Sequence, residues 1–209
     1  MNMVRKHWQD FGLLLGVGVS LYVLLNWGMI WELHGIVGFS FVSILIHQFE
    51  EYRWPGTFGG LFNIAIFKSA RPDHYPLNPH SAMIINLLIA YIFYLLPVLF
   101  PTVIWLGLAP VFMGFFQIVW HGVFANLKIR SFYNPGLFTA IFLHLPVGIW
   151  YITYITTHHL VSLLDWITGT VYFVIAVYLF IIQGNIWLKN VQSPYSFTKK
   201  QLGNYKDLH

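Results

Sequence analysis

Six apolar runs, each close to the length that a bilayer demands, constrain this chain more than any other feature. A helix needs about 20 consecutive apolar residues to cross the hydrocarbon core, and such runs read at about 11–30, 33–53, 80–100, 102–126, 136–157 and 162–188. Composition agrees, with 57% hydrophobic and only 9% charged residues. Soluble domains carry about a quarter charged residues. The expected fold class is therefore all-α: a polytopic membrane helix bundle of about six transmembrane helices, forming a single integral membrane domain over residues 1–209. The N-terminal stretch has a basic start, but its apolar run is too long for a signal peptide and lacks a small-residue cleavage site, so it reads as a retained first helix. The protein is expected in a bacterial inner membrane.

The basic residues give the orientation. Arg5 and Lys6 precede the first span; Arg53, Lys68 and Arg71 follow the second; Lys128 and Arg130 follow the fourth; Lys189, Lys199, Lys200 and Lys206 follow the sixth. All eleven Lys and Arg thus fall on one face, which the positive-inside rule makes cytoplasmic, together with both termini. This segregation also explains the net charge of +4 without nucleic acid as a partner. Trp27, Trp31, Trp105 and Trp166 are expected at the outer interface, and Trp8, Trp54 and Trp187 near the inner one. In LNPHS and YNPGL, Asn78 and Asn134 precede a proline and suit an N-cap followed by the first helical position. Between spans two and three, TFGGLFNIAIFKS is too short to cross; it reads as a re-entrant or interfacial segment, a lid over the inner face or a plain surface helix. The basic tail from Ser193 suits the anionic inner leaflet.

Against this background the stretch HQFEEYRWPG, residues 47–56, stands out. His47, Glu50 and Glu51 lie at i, i+3 and i+4 and share one side of a helix. At about 1.5 Å per residue, His47 lies roughly 9 Å inside the cytoplasmic end of its span, His121 roughly 10 Å and His144 roughly 12 Å inside theirs. Asn86 stands at a similar level. Ionisable groups within spans are costly, so their convergence on one layer points to a site. The chain has no cysteine, which excludes thiolate ligands and nucleophiles. Histidine with carboxylate suits a divalent metal, zinc first and iron second. By analogy with zinc helices, His47 and Glu51 have ligand spacing and Glu50 is left as the catalytic base, with His121 and His144 completing the metal set. Which glutamate is ligand and which is base stays open at this point. The alternative is structural: both glutamates reach the headgroups and pair with Arg53, while each histidine satisfies a neighbouring helix.

HQFEE resembles the H-x-x-E-E signature of the HXXEE-motif membrane protein family, and YNPG (133–136) resembles the Y-x-P-G element that accompanies it. The resemblance implies a small multi-pass membrane protein of uncharacterised function and one further histidine, either His121 or His144. YNPG also has a physical reading, in which Asn134 caps, Pro135 starts the helix and Gly136 admits something close to the backbone. Asn86, Asn126, Tyr133, Asn134, Pro135 and Gly136 are therefore candidate site-lining residues. A weaker chemical parallel is to the CAAX-type intramembrane proteases, which combine paired glutamates with histidines and an asparagine. In this sequence EEYR and HGVFAN miss their spacings by a few residues.

The leading functional expectation is a metal-dependent enzyme, hydrolase-like with glutamate-activated water, acting on a lipid or amphipathic substrate among membrane lipids. A di-iron oxygenase, a proton- or ion-coupled transporter, and a structural or lipid-binding protein are the alternatives. GTFGG lacks the lysine of a phosphate loop, which argues against nucleotide chemistry.

Overall fold

The computed structural model describes residues 2–205; Lys206 and the last three residues of the tail lie outside the described residues. Among the described residues eight helices follow one another: α1 (Asn2–Leu25), α2 (Glu32–Tyr52), α3 (58–66), α4 (Pro79–Leu99), α5 (Ile104–Ile129), α6 (Leu137–Thr157), α7 (Leu163–Leu188) and α8 (Lys199–Leu202). All but α3 and α8 are long and apolar enough to cross a membrane, and no strand occurs among the described residues. The first span is helical from Asn2, well before its apolar run begins, so Arg5, Lys6 and Asp10 ride on helical turns beyond that run.

The helix that carries the charged motif is the one the bundle encloses. In α2 72% of the most apolar stretch is buried within the protein, against 11% in α7. This solves the energetic problem of Ser40, Ser43, His47, Gln48, Glu50 and Glu51, which are all buried, because intramembrane polar groups are tolerated where they face protein rather than lipid. α1 packs along α2, and a Cβ at Gly12 or Gly16 would meet Leu45 at ordinary van der Waals distance, so small residues suffice there. Small residues spaced by four allow such close approach of membrane helices. α2 also packs on α6, and α6 and α7 both pack on α5.

Two helix starts that look alike in sequence differ in the fold. Asn78 caps α4 as expected: its side chain accepts from the His80 and Ser81 amides at 3.0 Å each, and Ser81 returns the bond, with Pro79 in the first turn. Asn134 does not cap α6. The cap position falls on Gly136, which has a left-handed backbone (φ 103°) and no side chain to offer.

The backbone of α6 then departs from regular pitch. Pro146 has no N–H to give the carbonyl one turn earlier, which disfavours a regular turn ahead of it. The preceding turn, Ala140–His144, is widened to π-helical pitch. His121 sits in a similar widened turn, Trp120–Ala125. Such turns change the direction in which a side chain leaves the helix.

α3 packs inward, with Phe58, Leu61, Ile64 and Ala65 buried. Asn63 ties it to the following loop by donating to the Pro72 and Leu77 carbonyls and accepting from the Leu77 amide. The chain end closes over its outer side. A side chain at Gly60 would collide with the Leu202 backbone, and one at Gly59 with the ring of Phe197.

Candidate metal centre

His47, Glu51 and His121 converge from α2 and α5 on one buried point. Nε2 of His121 lies 3.5 Å from Oε1 of Glu51, and Nε2 of His47 lies 3.7 Å from the same oxygen. One ligand atom from each of the three falls within 4.8 Å of the others, so the group could hold a metal ion. His144 approaches from α6, its ring centre 5.3 Å from that of His47; the His121 ring centre lies 5.1 Å from His47 on another side.

The far side of each ligand ring is anchored, which fixes its tautomer. Nδ1 of His121 lies 2.6 Å from Oδ1 of Asn134, whose amide nitrogen donates to the His121 carbonyl and to Oδ1 of Asn126. That assigns the Asn134 oxygen as acceptor, so Nδ1 of His121 carries the proton. Nδ1 of His47 lies 2.8 Å from Oγ1 of Thr139, and the same hydroxyl lies 2.6 Å from Oε2 of Glu50. A hydroxyl has one proton; the carboxylate takes it, and Nδ1 of His47 must then donate. Both Nε2 atoms are left as bare lone pairs. Nε2 of His47, His121 and His144 are all buried without a hydrogen-bond partner.

Two orphaned nitrogens facing one carboxylate, with a third on the neighbouring His144 ring outside that group, is a costly arrangement unless something positive lies among them. Tetrahedral zinc, with bonds of about 2.0–2.1 Å, keeps its ligand atoms roughly 3.4 Å apart. The separations of 3.5 and 3.7 Å about Glu51 fit that requirement, and the anchored far sides are the usual support of metal-binding histidines.

Glu50 is buried but turned elsewhere. Its Oε1 accepts from the Tyr133 hydroxyl at 2.9 Å and the Phe138 amide at 3.2 Å; its Oε2 accepts from the Thr139 amide at 2.9 Å and the Thr139 hydroxyl. These bonds satisfy the open amides at the start of α6, the duty that Asn134 was expected to perform. Burial, and then the neighbouring Glu50 carboxylate, push the Tyr133 hydroxyl above the usual phenol range. Arg53, the partner that a structural reading offered to the glutamates, instead places Nε 2.8 Å from Oδ1 of Asp10.

The remaining expected residues divide clearly. Gly136 abuts the His121 ring, and Pro135 is buried just ahead of it. Asn126 supports Asn134 and donates to the Phe132 carbonyl. Asn86 lines a cavity of about 110 Å³ together with Glu51, Gln117, Trp120 and Asn185. This cavity shares Phe62, Phe116, Trp120, Ile181 and Asn185 with a groove of about 900 Å³ between α5 and α7, lined also by Arg71 and Lys189. Oδ1 of Asn185 is buried without a partner. Sequence reasoning missed Thr139 and Asn185. The only signal for Thr139 was its place one turn after Gly136, and Asn185 was not singled out within the last span.

A family model described as a protein of unknown function with HXXEE motif matches residues 38–151. That region contains every histidine and carboxylate of the centre and the whole of YNPG. No curated protein and no solved structure matches the chain.

Proposed function

This chain belongs to the HXXEE-motif family, and on that footing we propose that it is an integral membrane hydrolase whose centre holds a divalent metal, with an amphipathic lipid as substrate. The observation that supports this reading is the pair of buried, unpartnered Nε2 atoms of His47 and His121 facing Glu51. His47, His121 and Glu51 would serve as ligands and leave a fourth position open to water; His144 stands beside His47, outside that group. Zinc comes first, since two imidazoles and one carboxylate without thiolate form a set that catalytic zinc uses. A di-iron centre is disfavoured because only one carboxylate faces the histidines.

When bound, the metal supplies Lewis acidity toward a carbonyl or phosphoryl oxygen and toward water. The chain's own residues do the rest. Glu51 both faces the imidazoles and lines the cavity, so a water or substrate oxygen entering there meets the ligand group directly. Glu50, with four donors on its two oxygens, has no such opening. We therefore assign Glu50 to positioning: through Thr139 it holds His47 in the tautomer that exposes Nε2. The apolar walls of the cavity and groove exclude water and suit a hydrocarbon chain, which supports a lipid over a polar substrate.

The test is metal content by plasma mass spectrometry on protein purified without chelator. Near-stoichiometric zinc is expected in the wild type, and its loss in Glu51→Gln and His121→Ala. Folded wild-type protein without metal would sink this reading and leave a proton shared between Glu51 and the histidines as the explanation.

A further inference from the structure

A second cavity, separate from the His/Glu centre, opens at the basic end of the bundle. It measures about 490 Å³ and lies between the start of α1, the end of α2 and the segment 194–201. Among the described residues, Arg5, Lys6, Arg53 and Lys200 line it and no Asp or Glu does. Four of the chain's eleven Lys and Arg thus meet in one concavity, from positions far apart in sequence. The positive-inside rule asks only that they share a face. It does not ask that they share a pocket.

Of the four cations, Arg53 is already paired with Asp10 at 2.8 Å, and His7 lies 2.7 Å from the same carboxylate. Asp73, which hydrogen-bonds Ser196, takes His74 at 2.9 Å, and that contact holds its carboxyl below the usual carboxylate range. Lys6 and Lys200 are exposed, and the Arg5 guanidinium lies 3.6 Å over the Tyr195 ring. The floor is apolar, because Trp8, Tyr52 and Phe197 line the cavity and are buried. Cations around a concave, low-dielectric floor focus a positive potential, and arginine matches phosphate oxygens in a way that a bare surface charge does not.

We propose that this cup binds a phosphate-type anion at the basic face of the bundle, carried either by a lipid headgroup or by a soluble phosphate compound. The inference does not depend on the metal reading. The cup shares only Tyr52 and Ala82 with the cavity beside Glu51, and its cationic rim lies largely outside the region that carries the family match.

The experiment uses the full chain in nanodiscs of phosphatidylcholine at about 0.15 M salt, where surface charges are screened beyond about 8 Å. Short-chain phosphatidic acid and inorganic phosphate are each titrated by calorimetry. Saturable binding is expected, weakened about tenfold or more in Lys6→Gln/Lys200→Gln and unchanged in the control Lys128→Gln/Arg130→Gln. The melting temperature and metal content of the double variant verify its fold; should it not fold, Lys6→Gln alone gives the same reading with a smaller loss. Binding of phosphatidic acid alone identifies a lipid headgroup, and equal binding of both identifies a soluble phosphate; either supports the cup. No saturable binding of either probe, or equal weakening in the control, overturns it.

Discussion

The ring of His121 occupies the space that a side chain at position 136 would need. A Cβ there would stand 2.7 Å from Nε2 and 2.9 Å from Nδ1, and the backbone of Gly136 is left-handed besides. One glycine therefore sets both the turn into α6 and the distance between α6 and the His121 imidazole. Gly136→Ala is predicted to cost about 1–3 kcal/mol in overpacking, and about 1–3 kcal/mol more in backbone strain. Thermal melting in detergent, read beside metal content, should show both losses together.

Thr139 offers a sharper test, because it touches no metal. Thr139→Val keeps the shape but leaves Nδ1 of His47 without its acceptor. Metal affinity is expected to fall about 10- to 100-fold, the usual cost of losing such a support, and Thr139→Ser should restore most of it. Competition against a chelator of known affinity measures this directly; an unchanged affinity in Thr139→Val would separate His47 from the centre.

The two adjacent glutamates should fail in different ways. Glu50→Gln replaces one of two accepting oxygens by a donor that faces the Thr139 amide or the Tyr133 hydroxyl. A loss of about 2–4 kcal/mol in stability is expected, given about 1.5–3 kcal/mol for each hydrogen bond to a charged group. Glu51→Gln should lose metal while melting within a few degrees of metal-free wild type. If Glu50→Gln melted normally but lost turnover, the base role would return to Glu50.

Tyr133 supplies a pH signature outside the membrane spans. Its folded-state pKa is raised above that of a free phenol by burial first and by the Glu50 charge second. A raised value means that the neutral hydroxyl is favoured by folding. The contribution is complete below about pH 10, the ordinary phenol range, and is lost as pH rises through the folded value. Wild-type protein should therefore lose more stability than Tyr133→Phe between pH 9 and pH 11, as melting curves across that range would register. Parallel curves would remove the coupling to Glu50.

If the groove between α5 and α7 receives a hydrocarbon chain, a photoactivatable acyl lipid should crosslink to Phe62, Phe116 or Ile181, which line it. Ile181→Trp fills the shared wall and should suppress that labelling. Uniform labelling of lipid-facing residues such as Val171 or Leu163 to the same extent would remove the groove from consideration.

Much of this architecture was legible because each level of the sequence carried its own signal. Span length and the one-sided placement of Lys and Arg located six helices, and i, i+3, i+4 spacing put His47, Glu50 and Glu51 on one helix side. The division of labour between the glutamates was not legible. It depends on the start of α6 arriving beside Glu50, a contact across more than eighty residues that no local pattern records. Asn134 misled for a related reason. Asparagine before proline serves a cap equally well at Asn78, and only the arrival of His121 at 2.6 Å diverts the Asn134 side chain. His144 could be placed in depth but not in direction, since the widened turn ahead of Pro146 rotates it.

The closure of the chain end over Gly59 and Gly60 has a consequence for how the centre is filled. Phe58 of α3 stands with its ring centre 6.0 Å from that of His121, so α3 is part of the cover over the imidazoles. Its outer side is completed by Phe197 and Leu202, whose atoms stand where a side chain at Gly59 or Gly60 would go. If the centre holds an ion as proposed, exchange of that ion is tied to the opening of this cover and not to the strength of the ligands alone.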